Sequence, residues 1–230
     1  MQIVVVSSPG QGRSPHWSQD LAGEFGRLAV ARGASVRWLA AVHADEPVPA
    51  GGPGLEVSAH RDRRVWPLSK VESSQLDAPL ELMLTEILRD EPSSVVVHFG
   101  LGAQGTPNVL WISDRLGSQT FACVRGPEIV CHRGDVIDRD SNPCTDWLDA
   151  ERCRWCCSDS RDRQPRSDDL RNRVDLYIAG LLTCQSISVP SPEDVPFLSS
   201  LGISGKQITV GATAEDLIER VFLSAGEPSV

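Results

Sequence analysis

The residues best suited to chemistry in this chain are its clustered cysteines. Cys131, Cys144, Cys153 and Cys156 are separated by twelve, eight and two residues. The closing pair has the Cys-x-x-Cys spacing, which lets two sulfurs bind one ion from a tight turn. Four thiolates suit the closed, tetrahedral coordination of zinc, so the spacing predicts a structural zinc site.

The ligand set has alternatives. Cys157 or His132 can replace a neighbour in it, and the residues alone do not decide between them. Two other interpretations stay open, namely cysteines that are unliganded or disulfide-paired, and a redox-active Cys-x-x-Cys. The redox interpretation is disfavoured, because the pair lies in an Arg-rich segment and not where a strand enters a helix.

Charge and hydropathy restrict the function classes. The net charge of −9 and the pI near 5.0 argue against a nucleic-acid partner, because phosphate contacts need a basic face. The sequence shows no export signal and no transmembrane segment. We therefore expect a cytoplasmic protein, whose thiols stay reduced and favour zinc, with Cys123 and Cys184 buried in apolar surroundings.

A glycine loop follows the first apolar run of the chain. Gly10 and Gly12 come after this predicted strand and before a predicted helix, with Arg13 beside them. The third glycine of a dinucleotide-binding motif is replaced by Pro15, and no acidic residue ends the second strand. We therefore expect no NAD or FAD, although the loop can approach a ligand closely.

His98 ends another apolar run and precedes Gly100. A histidine at the end of a strand can act as an acid, a base or a donor to phosphate. The structural alternative, a histidine that is only hydrogen-bonded at the strand end, is equally compatible with the sequence.

Alternating apolar runs and amphipathic segments define the elements that must position these residues. Strands are predicted at residues 2–7, 35–42, 94–99, 119–124, 174–179 and 207–210, with a short one at 65–68 after a loop at 44–62. Helices are predicted from Ser14, from Ser73 or Ser74, from Thr106, from Ser191 to near Gly202, and over 214–223.

This alternation predicts an α/β fold: a single Rossmann-like domain over residues 1–230, with a mostly parallel sheet flanked by helices. A Cys-rich insertion is expected at about residues 126–165. Ligands of such sheets bind beyond the carboxyl ends of the strands. The predicted ligand-binding residues at this edge are Gly10, Gly12, Arg13, His98, Gly100 and Arg125.

Several segments resemble the N-terminal, acceptor-side domain of family 4 glycosyltransferases of the two-domain GT-B architecture. The similar segments are IVVVSSPGQG with LAGEFGRLAVARGASVRWLAA, VVVHFGLG, and VDLYIAG with VPSPEDVPFLSSLGISGKQITV. Many bacterial members also carry C…C…C-x-x-C after the fifth strand, as here. The resemblance runs over nearly the whole length.

Two departures from the family shape the expected function. Arg125 and Gly126 occupy the positions where the family commonly has a His-Asp pair near the sugar transfer, and arginine cannot serve as a base near neutral pH. The family's donor-binding domain, with its paired glutamates, does not follow. Catalysis by this chain alone is therefore not expected, and His98 and Arg125 remain the catalytic candidates.

The resemblance implies a glycosyltransferase-like acceptor-side domain. Such a domain would need a separate donor-binding subunit to transfer a sugar from a nucleotide sugar to a saccharide or a lipid-linked acceptor. The alternative is a non-catalytic, zinc-stabilised binding or scaffold module derived from a glycosyltransferase.

Overall fold

A computed structural model describes residues 1–8, 17–43, 47–62, 77–91, 94–101, 106–158, 166–205, 207–211 and 213–226. Within these ranges seven strands form one sheet, parallel throughout, in the order β3-β2-β1-β4-β5-β6-β7. The strands are β1 (Gln2–Ser7), β2 (Ser35–His43), β3 (Leu55–Asp62), β4 (Val95–Phe99), β5 (Gln119–Cys123), β6 (Ser186–Val189) and β7 (Ile208–Val210). The helices are α1 (Trp17–Ala31), α2 (Ala78–Asp90), α3 (Asn108–Arg115), α4 (Gly126–Val130), α5 (Ala150–Cys156), α6 (Ser167–Leu181), α7 (Val195–Ser200) and α8 (Ala214–Ser224). The predicted α/β class with a parallel sheet is confirmed.

The first apolar run forms the centre of the sheet because both of its faces are buried. Ile3 and Val5 pack toward α1 and α8, whereas Val4 and Val6 pack toward α2, α3 and α6. All four side chains are at most 2% exposed. Each such burial contributes about 1.5–3 kcal/mol, which explains why a continuous apolar run and not an alternating one specifies this strand.

Helix α2 shows how the flanking layers form. Leu80, Leu84 and Leu88 recur every fourth residue and are fully buried against the sheet. Asp77 caps the helix by accepting a hydrogen bond from the backbone N–H of Leu80 at 3.2 Å. The predicted helix start at Ser73 or Ser74 and the predicted strand at 65–68 lie outside the described residues.

Two predictions of secondary structure are wrong. Residues 174–179 were expected to form a strand, but they lie inside α6, where Leu170, Tyr177 and Leu181 are buried on one face. The strand of this part of the chain is β6, which starts twelve residues later. Residues 55–62 were assigned to a loop, but they form the edge strand β3, paired with β2 along its whole length.

Among the helices that the structure describes, none is both long enough and apolar enough to cross a bilayer.

Candidate functional site

The carboxyl edge of the sheet contains a topological switch point between β1 and β4. The helix that follows β1 packs on one face of the sheet, and the helix that follows β4 packs on the other. Ligands of open parallel sheets bind where neighbouring connections diverge in this way. Gly10, Gly12 and Arg13, which follow β1 in the sequence, lie outside the described residues.

Gly100 lies at this switch point, directly after β4. Its backbone φ of +69° is in the left-handed region, and a Cβ atom there would lie 2.9 Å from the Cβ atom of Ser18. Its N–H donates a hydrogen bond to the carbonyl of Cys123 at 2.9 Å. A glycine is therefore required for the chain to turn at the end of β4 while it contacts both α1 and β5.

His98 lies one strand position before Phe99 and is fully buried. Its Nε2 atom is 3.2 Å from the hydroxyl oxygen of Ser113. That hydroxyl donates its own proton to the carbonyl of Val109 at 2.8 Å. The proton between His98 and Ser113 is therefore assigned to Nε2 of His98, which donates to the hydroxyl oxygen. Nδ1 has no hydrogen-bond partner among the described residues.

Burial lowers the pKa of His98 to about 3. The imidazole is therefore neutral near pH 7, and its low pKa makes it a weak base. This geometry matches the hydrogen-bonded strand-end alternative. A catalytic role for His98 stays a hypothesis that needs a different conformation to expose the ring.

Arg125 follows β5 and adopts an extended conformation immediately before α4. The next residue, Gly126, donates its backbone N–H to Oδ1 of Asp194 at 2.9 Å. A Cβ atom on Gly126 would lie 2.6 Å from both the carbonyl oxygen of Asp194 and the Cβ atom of Phe197. The absent side chain at position 126 thus lets the segment after β5 pack directly against the segment after β6.

Asp194 is buried at the same place and belongs to a capping box. Its Oδ2 atom accepts a hydrogen bond from the backbone N–H of Ser191 at 3.3 Å, at the start of a short 3-10 turn (Pro192–Asp194) that leads into α7. Burial raises the pKa of Asp194, while the N–H of Gly126 and the charge of Arg125 act in the opposite direction. The carboxylate thus fixes both segments through backbone hydrogen bonds.

A cavity of about 370 Å³ opens beside these residues, and we call it the Arg125 cavity. Its walls come from the residues after β5, from residues 134–143 of the insertion and from residues 191–197. Its charged and aromatic lining consists of Arg125, Asp135, Glu193, Asp194 and Phe197. Three carboxylates and one guanidinium provide several directed hydrogen-bonding groups in one small volume.

The insertion forms a compact wall because its own side chains bond its backbone. Asp138 is buried, and its Oδ1 atom accepts hydrogen bonds from the N–H groups of Asp140 at 3.0 Å and Asn142 at 2.9 Å. The N–H of Cys144 donates to the carbonyl of Val136 at 2.7 Å. These contacts hold residues 136–144 in a tight turn that faces the Arg125 cavity.

The five clustered cysteines are near one another and are free thiols, as are Cys123 and Cys184. Burial, together with the charges of Cys131, Cys144 and Cys156, raises the pKa of Cys153 to about 12. Burial raises the pKa of Cys131, while the nearby backbone N–H groups of residues 133, 134 and 136 act in the opposite direction. The chain therefore brings the four predicted ligands to one region.

Their arrangement is nevertheless not a coordination shell. Over the described residues, which include all seven cysteines, no group of three or more His, Cys, Asp or Glu side chains is arranged to hold a metal ion. The donor chemistry fits zinc, and the electrostatic coupling shows that the sulfurs are grouped. The predicted ligand set is thus close in space but not closed around one point.

The two alternative zinc ligands, Cys157 and His132, lie in different surroundings. Cys157 hydrogen-bonds Cys156, which is the main cause that lowers the pKa of Cys156 to about 6, with Arg133 acting in the same direction. His132 is 5% exposed and lines a second cavity, together with residues of α6. The predicted burial of Cys123 and Cys184 is confirmed, since both are at most 7% exposed.

Sequence reasoning missed the acidic half of the Arg125 cavity. Asp135, Glu193 and Asp194 were not among the predicted site residues, and neither was Phe197. One signal was present, because Ser191 with an acidic residue three positions later is a capping-box pattern. That pattern predicts a helix start, however, and not which side chains face a cavity.

Comparison with solved structures identifies the architecture. Sucrose-phosphate synthase from Thermosynechococcus elongatus matches over 91% of this chain and 47% of its own, with 13% sequence identity and a TM-score of 0.51. The fold is that of a GT-B half-domain. Os79 from O. sativa in complex with UDP (15% identity, 91% and 51% coverage, TM-score 0.48) and UGT2 from Phytolacca americana (12%, 90% and 52%, 0.46) also match.

The chain spans about half the length of these solved structures. No protein-family model and no curated protein sequence matches it. At these identities the likeness establishes the fold alone.

Proposed function

We propose that this chain is the acceptor-side part of a glycosyltransferase. It holds a saccharide or lipid-linked acceptor in the Arg125 cavity, while a separate donor-binding chain supplies the nucleotide sugar. The proposal joins the resemblance to family 4 enzymes with the GT-B-like fold.

The observation that carries the proposal is the lining of the Arg125 cavity. Arg125, Asp135 and Glu193 supply donors and acceptors suited to the hydroxyl groups of a sugar, and Phe197 supplies an apolar surface beside them. The cavity lies beyond the carboxyl ends of β5 and β6, the edge where ligands of such sheets bind.

Neither catalytic candidate is suited to accept the proton of an acceptor hydroxyl. Arg125 stays protonated near neutral pH, so it can hold an anionic group but cannot accept a proton from an acceptor hydroxyl. His98 is buried, and its pKa is too low for an effective base. The groups of the cavity that can accept a proton are therefore its carboxylates.

Activity of the chain together with its partner tests the proposal. The tagged chain is captured from its native host, and the captured complex is assayed with a panel of nucleotide sugars for release of the nucleotide. We expect turnover by the complex and not by the chain alone. Arg125→Met should lower this turnover about tenfold or more, which corresponds to about 1.4 kcal/mol of transition-state stabilisation.

Arg32→Met is the matched control, because Arg32 is an exposed cation paired with Glu219, away from the cavity. It should leave turnover unchanged. Absence of turnover with every nucleotide sugar, or equal loss in both variants, would contradict the proposal.

The second candidate function is a non-catalytic binding or scaffold module. The burial of His98 and the presence of Arg125 where the family has histidine favour it, because neither residue is an effective base at neutral pH. A complex that binds saccharides with Arg125-dependent affinity, but releases no nucleotide, would support this alternative.

For the insertion, we propose structural zinc held by Cys131, Cys144, Cys153 and Cys156, with Cys157 or His132 as substitutes. The shared electrostatic environment of the four sulfurs supports it. Zinc would neutralise thiolates whose mutual repulsion otherwise opposes their approach. It would thereby fix one wall of the Arg125 cavity, with no part in the reaction.

A further inference from the structure

A second cavity, of about 260 Å³, lies between the insertion and α6. We call it the Arg173 cavity. Its lining is mainly apolar and includes Trp147 and Leu148 from the insertion and Leu170, Arg173, Val174 and Ile178 from α6. It shares no lining residue with the Arg125 cavity. The two cavities are therefore separate places on the molecule.

Arg173 is the unusual member of this lining. The side chain is 1% exposed, and its two terminal nitrogens donate to the backbone carbonyls of Ile129 at 2.9 Å and Glu128 at 2.8 Å. Its guanidinium carbon lies 4.8 Å from the centre of the Tyr177 ring. Arg173 thereby ties α6 to the carboxyl end of α4.

These contacts leave the guanidinium incompletely satisfied. Both of its hydrogen-bond acceptors are backbone carbonyls. Among the residues that the structure describes, Arg173 forms no ion pair within 4.0 Å, and its Nε atom has no hydrogen-bond acceptor. A buried cation without an anionic partner carries a desolvation cost that carbonyl groups offset only in part. An anion in the cavity would offset that cost and accept the remaining N–H.

The volume of the Arg173 cavity and the charge of its arginine indicate which class of ligand it would bind. An apolar cavity of about 150 Å³ already binds benzene, so the larger volume here accommodates an aromatic ring with a short chain. Arg171 also lines the cavity, while Asp175 is the acidic lining residue and is exposed. We propose that the Arg173 cavity binds a small amphiphilic molecule with an apolar body and one carboxylate or comparable anionic group.

This site goes beyond the proposed sugar transfer and does not depend on it. Trp147 connects the two cavities physically, since its ring packs 4.8 Å from that of Phe197, which lines the Arg125 cavity. The indole N–H of Trp147 donates to the hydroxyl of Ser200 at 3.4 Å. The indole resonance of Trp147 is therefore a local reporter of occupancy.

Two probes of the same size test the proposal. Binding of 4-phenylbutyrate and of the neutral 4-phenyl-1-butanol is measured by titration calorimetry on the full chain, with the Trp147 indole signal followed by ¹⁵N NMR. We expect the carboxylate to bind about tenfold or more tightly than the alcohol and to shift the Trp147 signal. Equal binding of the two probes, or binding of neither, would overturn the proposal.

A variant that fills the cavity locates the binding. Val174→Phe should weaken binding of 4-phenylbutyrate about tenfold or more, because the new ring occupies the apolar volume. Leu182→Phe is the matched control, since Leu182 is half-exposed at the end of α6 and outside the cavity. Should Val174→Phe fail to fold, Ile178→Phe on the next turn replaces it. Unchanged affinity in the filled variant would place the probe elsewhere and refute the assignment.

Discussion

The backbone N–H of Gly126 donates a hydrogen bond to the buried carboxylate of Asp194, and this contact joins the chain after β5 to the chain after β6. The two residues are 68 positions apart in sequence. Asp194 lines the Arg125 cavity, as do Arg125 and Pro127 on either side of Gly126. The insertion starts on one side of this contact, and α7 starts on the other. Changes at either residue should therefore alter the site and the stability together.

Gly126→Ala should destabilise the domain. The new Cβ atom would lie 2.6 Å from backbone and side-chain atoms of residues 194 and 197, and relieving that overlap requires backbone shifts. Overpacking of this kind costs about 1–3 kcal/mol. Gly205→Ala is the control, because a Cβ atom at Gly205 meets nothing within 4 Å. Urea unfolding should separate the variants, and equal midpoints would show that the segments do not pack as described.

Asp194 should make the protein less stable as pH rises through the acidic range. Burial raises its folded-state pKa above the unfolded value of about 3.9, so in the window between the two pKa values the folded state binds more protons. Stability from this group is fully present below the unfolded pKa and is lost above the folded one. The free energy of unfolding of the wild type relative to Asp194→Asn should therefore fall from pH 3 to pH 7. A difference that is constant or rising with pH would contradict the assignment.

His98 should act in the opposite direction. Its pKa is about 3 in the folded state and about 6.5 in the unfolded chain, so the unfolded state binds the proton first as pH falls. Between pH 7 and pH 4.5 the linkage costs about 2–3 kcal/mol of stability. His98→Gln should lose this acid sensitivity while retaining the fold, as measured by urea unfolding at both pH values. Equal acid sensitivity of the variant would mean that His98 is not buried in solution.

The sequence predicted the centre of the sheet well but placed the sixth strand wrongly. β1 and β4 are apolar runs buried on both faces, so their pattern is unambiguous. Residues 174–179 are also largely apolar, but they lie in a helix, because Leu170, Tyr177 and Leu181 complete a helical face that a short window does not reveal. β6, with the sequence SISV, is short and half polar, and its burial comes from its neighbours β5 and β7.

Of the residues that line the Arg125 cavity, only Arg125 was predicted from the sequence as a site residue. Arg125 was found because it follows a strand and precedes the cysteines, whereas Asp194 and Phe197 reach the same cavity through tertiary packing over a long sequence separation. His98 had the correct position at a strand end, but the direction of its side chain, toward Ser113 and the interior, depends on the register of the sheet. Spacing in sequence contains neither of these facts.

The cysteine cluster gives the sharpest test of a metal. Protein purified without chelator should contain about one zinc ion per chain, because four thiolates close a tetrahedral site completely. Cys153→Ser should lose the zinc and lower the melting temperature markedly, because metal binding to such a site is coupled to folding. Cys184→Ser is the control, since Cys184 is a buried thiol outside the cluster; it should retain the zinc.

A zinc site and a metal-free buried thiol predict different effects of a chelator on the melting temperatures of the wild type and Cys153→Ser. If zinc stabilises the insertion, a strong chelator should lower the melting temperature of the wild type toward that of Cys153→Ser and leave the variant unchanged. If the thiol contributes only through burial, the chelator should change neither protein. A trace of zinc far below one ion per chain, with five reactive thiols in the insertion, would refute the site. The grouped but unclosed sulfurs would then be the resting arrangement of the insertion.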